Sequence, residues 1–281
     1  MEVLMHIRNT MCIILLAIAI SIILSCAATV NPDIKLHKDA SAKELKLGNL
    51  QSALSHMDYA EAACDNPPCR EEVLHWMIGL GAQQNNDVFR AKAYEKLALH
   101  HLERYLAGQT DGLVSAKTVA NEFYLWADSL KKGRGDLFPL PDAMILAASL
   151  HLFDRPDSSV YLIAEVMKIG VELKQDAIPT QLKIAIGRGK ALIDELSNKM
   201  NENFEQGKEK IISSDPEAGI DELVYAYRAS AALGKTELAA NSAVLLAEYY
   251  AGIGKGDIAG QWTSAALRWK GESIHGKSHA E

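Results

Sequence analysis

The chain has 281 residues, a formal net charge of −7 and an apolar content of 48%. This apolar content excludes a disordered chain, and the acidic balance argues against a nucleic-acid partner, which requires a basic face. Alanine and leucine dominate the apolar positions while aromatic residues make up only 6%, a composition that is typical of packed helices.

The N-terminal segment has the layout of a secretory signal. Arg8 precedes a run over residues 11–24 that is apolar except for Ser21, small residues follow from Ser25 to Ala28, and charge returns at Asp33. A cation, an apolar stretch and then small residues, in that order, are typical of a segment that directs export. We therefore expect an exported protein.

The sequence Ile23-Leu24-Ser25-Cys26 resembles the cleavage site of bacterial lipoprotein signals. In that family a branched apolar residue lies three positions before the cysteine, which becomes a lipidated N-terminus. The resemblance implies a cleaved signal peptide over 1–25, lipidation of Cys26, a linker over 26–36 and membrane attachment facing the periplasm. It favours the outer membrane, because Ala27 is not the aspartate that retains such proteins at the inner membrane.

Two other interpretations of this segment remain open, because Leu24 stands where the lipoprotein family prefers a small residue. Ordinary signal cleavage after Ala28 would release a soluble periplasmic protein. Alternatively, residues 11–30 carry no charge, and an uncleaved helical anchor needs about 20 such residues to cross a membrane.

Two of the four cysteines lie beyond the N-terminal segment, at Cys64 and Cys69. In an oxidising compartment a close pair of this kind favours a disulfide over two free thiols. The four residues between them make the spacing wider than the Cys-x-x-Cys of redox-active proteins. We predict a structural disulfide.

From residue 37 onward the apolar positions recur with a helical period, and no strand pattern is present. The pattern predicts an all-α fold in which Gly48-Asn49 divides the first helical stretch into two antiparallel helices. Residues 37–271 would form one helical domain, and residues 272–281 a disordered tail. The predicted helical stretches are about 39–64, 71–84, 87–106, 113–131, 141–153, 157–174, 179–212, 216–232, 236–251 and 256–270.

A turn pattern recurs along the chain, in which a glycine is followed five residues later by a small residue. This pattern resembles the second half of a tetratricopeptide repeat, where small residues let two helices approach closely. The resemblance implies a TPR-like α-solenoid of antiparallel helical hairpins, although residues 110–213 depart from the 34-residue period. The turns and their small residues are Gly48 with Ala53 and Ala60, Gly234 with Ala239, and Gly254 with Ala259 and Ala266.

No motif for catalysis, cofactor binding or metal binding is complete in this sequence. His100-His101 lacks the spacing of a zinc site, so we expect solvated or partly buried histidines. The glycines over 252–256 follow a helix rather than a strand, which predicts a turn and not a phosphate loop. Arg134-Gly135-Asp136 is most simply a solvated turn. We predict no enzyme activity, no cofactor and no metal.

Two tryptophans are the best candidates for a binding role. Trp262 and Trp269 lie seven residues apart, which places both on one side of the last predicted helix. Aromatic rings bury large areas, so a core contact is the simpler interpretation of each. If the rings instead face a groove, they form a partner-binding surface.

These observations favour a non-enzymatic, membrane-tethered helical-repeat protein that binds another envelope or periplasmic protein. A homo-oligomer is also compatible with the sequence. An alternative is a ligand-binding accessory of a transporter, because Asp87-Val-Phe-Arg90-Ala91-Lys92 is similar to part of the lipoprotein T component of TRAP-type transporters. The middle of the chain lacks that family's Gly-Gly stretch. An enzyme with an unrecognised all-helical active site is the third hypothesis.

Overall fold

A computed structural model describes residues 31–134, 137–173, 178–213 and 215–277, without the side chains of 134 and 271–277. Over these residues the chain forms eleven α-helices and no strand, so the all-α prediction is confirmed. The predicted signal peptide, Cys26, and Gly135-Asp136 of the solvated turn lie outside the described residues. The helices are α1 (Pro32–Lys46), α2 (Leu50–Ala62), α3 (Pro67–Gln83), α4 (Asp87–Leu106), α5 (Asp111–Arg134), α6 (Leu140–His151), α7 (Pro156–Glu172), α8 (Thr180–Ile211), α9 (Pro216–Ala232), α10 (Thr236–Gly252) and α11 (Gly256–Lys277).

Several helices begin at a polar cap followed directly by proline. The side chain of Asn31 accepts a hydrogen bond from the Asp33 amide at 3.1 Å, and Asn66 accepts one from the Cys69 amide at 2.9 Å. Proline then occupies the first helical position, where no backbone donor is needed. This signal starts α1 at Pro32 and α3 at Pro67, earlier than the predicted 39 and 71, so α1 includes residues 32–36 of the expected linker.

One turn geometry joins helices at five places in the described chain. A residue with positive φ follows the helix, and the next amide donates to the carbonyl five residues back over 2.8–3.0 Å, which is the Schellman motif. Glycine occupies four of these positions because it has no Cβ to clash at positive φ. The five residues and their φ angles are Gly48 (81°), Asn85 (52°), Gly108 (92°), Gly234 (67°) and Gly254 (74°).

The chain divides into two compact units, residues 1–90 and 91–281, with the boundary inside α4. In the first unit α1, α2 and α3 pack consecutively. Ala53 and Ala60 of α2 are completely buried, and the Ser41 hydroxyl of α1 donates to the Ala53 carbonyl at 2.9 Å. The small residues predicted after the Gly48 turn therefore lie where two helices approach closely.

In the second unit α6 is the central helix, and nearly all of its residues are buried among α5, α7 and α8. Each helix from α5 to α11 packs on the next, and α6 to α8, α7 to α9 and α8 to α10 also pack together. This sequential packing agrees with an all-α solenoid-like arrangement. Where α8 meets α9, Gly219 is indispensable, because a Cβ there would lie 2.6 Å from the Ile211 nitrogen.

The last helix extends beyond its predicted end. We expected the helix to finish near residue 270 and a disordered tail over 272–281, whereas the backbone of α11 is helical to Lys277. Residues 278–281 lie outside the described part of the chain.

Candidate partner-binding site

Trp262 and Trp269 lie on the side of α11 that faces its neighbours in the second unit. Ala265 and Ala266 between them are buried and pack against Ala243 of α10, which draws the two helices together. Both indole rings are half-buried at the edge of this contact. The structure therefore places the two predicted residues on one side of the helix, each with part of its ring open to solvent.

Tyr227 of α9 brings the two tryptophans into one group. Its ring meets that of Trp262 edge to face, with centroids 5.1 Å apart and planes at 89°. Its hydroxyl accepts a hydrogen bond from Trp269 Nε1 at 3.3 Å. We call Tyr227, Trp262 and Trp269 the aromatic cluster; sequence reasoning missed Tyr227 because it lies on another helix, 42 residues before Trp269.

More half-buried apolar side chains adjoin the aromatic cluster through Trp262. They pack around a small core formed by Ile211, Leu223 and Leu246. A surface that combines large rings with hydroxyl and indole N–H groups is suited to protein contacts, because it offers both apolar area and polar handles. The partly buried members are Phe204, Ile220, Val224, Leu245, Tyr249, Tyr250 and Trp262.

The corner between α6 and α7, residues 151–155, collects polar contacts from several helices. Lys117 forms an ion pair with Asp154, and the Lys199 ammonium lies 4.7 Å from the Phe153 ring centre. The Tyr225 hydroxyl donates to the Leu152 carbonyl at 2.7 Å, and burial raises the pKa of that hydroxyl to about 12. These contacts fasten the corner to the rest of the unit and leave Tyr225 protonated.

A second polar group joins α4, α6 and α8. The Arg188 guanidinium lies 3.6 Å from a Glu95 carboxylate oxygen and 3.9 Å from one of Asp142. Burial raises the pKa of the Asp142 carboxyl, and Arg188 offsets part of that effect. The group is an ion-pair network that links three helices.

The structure joins Cys64 and Cys69 in a disulfide, with Cα atoms 5.6 Å apart. The bond closes the loop between α2 and α3 beside the Asn66 cap. Arg70 forms an ion pair with the nearly buried Glu61 next to it, so this corner is held by a covalent bond, a cap and a charge pair.

His100 and His101 are more buried than expected, with exposed fractions of only 3% and 4%. The start of α5 lies directly against the His101 carbonyl, where a Cβ at Gly112 would be only 2.5 Å from the oxygen. Arg104 Nη1 lies 3.3 Å from His101 Nδ1. Within the described residues, no group of three or more His, Cys, Asp or Glu side chains is placed to hold a metal ion.

None of the helices described here is both long and apolar enough to span a membrane. Comparison with protein-family models, with curated proteins and with solved structures found no match to this chain.

Proposed function

We propose that this protein is an envelope lipoprotein, anchored through Cys26, whose helical array binds another protein. The anchor part of the proposal rests on the resemblance of residues 23–26 to a lipoprotein cleavage site. The binding part rests on the aromatic cluster. The TPR-like interpretation of the array supports a scaffold, because stacked helical hairpins present extended surfaces to partners.

The aromatic cluster is the observation that carries the binding role. Trp262 and Trp269 share one face and are half-buried, so each ring is held by the fold while part of it remains accessible. The hydrogen bond from Trp269 Nε1 to the Tyr227 hydroxyl fixes the orientation of the Trp269 ring before a partner binds. Rings that are ordered in advance lose little conformational freedom on binding, which is why tryptophan and tyrosine are enriched at binding hot spots.

The proposal is tested by photo-crosslinking in intact cells with a photoreactive amino acid at Lys270, an exposed residue next to Trp269 on α11. We expect a crosslinked envelope protein that disappears in Trp262→Ala and Trp269→Ala variants. Loss of one hot-spot ring commonly weakens a complex by about 2 kcal/mol or more, enough to remove most of a crosslink.

Trp126→Ala is the matched control. Trp126 is also a half-buried tryptophan, stacked on Phe123 and Tyr94, but it lies on α5. Its variant should keep the crosslink, and the circular dichroism of all three variants should match the wild type. A crosslink that survives both α11 substitutions contradicts the proposed site, and a chain that crosslinks to no protein contradicts the scaffold role.

A further inference from the structure

Two histidines in the first unit face one another across the α1–α2 hairpin. His37 of α1 and His56 of α2 have their Nδ1 atoms 3.1 Å apart. The ring centroids are 5.4 Å apart and the planes differ by 32°. Both side chains are half-buried, so solvent and small ions reach them.

The separation of the two nitrogens matches that of two ligands on one metal ion. With Zn–N bonds of about 2.0–2.1 Å, two nitrogens lie about 2.9 Å apart at a right angle and about 3.4 Å apart at a tetrahedral angle. The observed 3.1 Å falls between these limits. A metal ion would therefore replace the hydrogen bond that joins the two nitrogens in this structure.

The fold holds both rings in place before any ion binds. The Tyr59 ring stacks on His37 with centroids 5.1 Å apart and planes at 27°. One helical turn after His37, the Ser41 hydroxyl donates to the Ala53 carbonyl, which ties α1 to α2 close to the pair. The Lys38 ammonium beside His37 lies 4.7 Å from the Trp76 ring centre.

We propose that His37 and His56 form a two-histidine site for a transition-metal ion that prefers imidazole, such as Zn²⁺ or Ni²⁺. Both Nδ1 lone pairs would bind the ion. Without the ion, one ring donates its Nδ1–H to the other ring; with the ion bound, that ring carries its proton on Nε2 instead. Water fills the remaining positions, because the described chain places no third His, Cys, Asp or Glu beside the pair. This site is independent of the proposed scaffold function.

The site is tested by isothermal titration of the full chain in detergent with ZnCl₂ near pH 7.5. A His275→Asn/His279→Asn background removes the other closely spaced histidines of the C-terminal segment. We expect one ion per chain in this background, and a loss of affinity of about tenfold or more in either His37→Asn or His56→Asn. MgCl₂ should give no binding, because Mg²⁺ requires oxygen ligands.

His75→Asn is the matched control, since His75 is a solvent-exposed histidine of the same unit, with a side chain that is 55% exposed. It should leave zinc affinity unchanged. Unchanged affinity in both His37→Asn and His56→Asn overturns the proposal. A second readout needs no further variant: trace Cu²⁺ added to the His275→Asn/His279→Asn background should broaden the NMR signals of the His37 and His56 rings first. Earlier broadening of other histidines overturns the site as well.

Discussion

His151 shows how a single side chain couples this fold to pH. It ends α6, its Nδ1 is buried, and that atom has no hydrogen-bond partner among the described residues. Burial lowers the pKa of the imidazole, and the nearby Lys117 ammonium lowers it further, while Asp154 acts in the opposite direction. The folded protein therefore keeps His151 neutral at pH values where the unfolded chain would protonate it.

The first prediction is that His151 makes the folded protein less stable as the pH is lowered. Because the folded pKa lies below the ordinary 6.5, the unfolded state binds the proton more tightly. The free energy of unfolding should keep its full value above pH 6.5 and should decrease as the pH drops below 6.5. Urea titrations between pH 7.5 and 5.5 should show a shallower fall for His151→Asn than for the wild type. Equal slopes, with exposed His75→Asn as the reference, would contradict the assignment.

At the scale of elements, glycine is needed in the Schellman turns because of the backbone conformation and not because of a lack of space. Gly234 lies at φ 67° in open space, so a side chain there would be strained by the backbone alone. Gly187 also lies in open space, but within α8 and without positive φ. The same substitution should therefore have opposite effects at the two positions.

The second prediction uses this contrast. Gly234→Ala should lower the free energy of unfolding by about 1–2 kcal/mol, the cost of a left-handed conformation for an L-residue. Gly187→Ala should raise it by about 0.5–1 kcal/mol, because alanine is the better helix former. Chemical denaturation of both variants measures the difference; destabilisation by both would mean that the surroundings of Gly187 are less open than described.

At the scale of the whole molecule, the N-terminal segment and the helical array have separate roles in the proposal. None of the described helices is long and apolar enough to span a membrane, and the proposal assigns attachment to a lipid on Cys26. The acidic charge of −7 gives the chain little attraction to an anionic membrane surface. Under this proposal, the location of the protein depends on the lipidation of Cys26.

The third prediction tests that dependence. Cells grown with a radioactive fatty acid should label the wild type, and Cys26→Ala should abolish the label and slow or block signal processing. Cys12→Ala, which changes the other N-terminal cysteine, should keep the label. Label that persists in Cys26→Ala would exclude the lipoprotein proposal, while an unprocessed chain of full length in the membrane fraction would favour an uncleaved anchor.

Local signals made most of the helix boundaries predictable. The turns at Gly48, Gly234 and Gly254 follow from the need for a positive φ, and the Asn86 and Asp215 caps follow from side chains that bond amides three residues on. The start of α1 differs from the prediction because Asn31-Pro32 lies within residues 26–36, the linker that the lipoprotein resemblance implies.

The sequence by itself determined the helix count, the turns at Gly48, Gly234 and Gly254, the small residues after Gly48 and the disulfide loop. All of these depend on interactions within a few residues. The burial of His100 and His101, the grouping of Tyr227 with Trp262 and Trp269, and the meeting of His37 with His56 were decided only by the tertiary structure. Helical periodicity shows which side of a helix is apolar, but not which residue of another helix it will meet. That choice depends on the crossing of whole helices, which close contacts such as Gly219 against Ile211 establish.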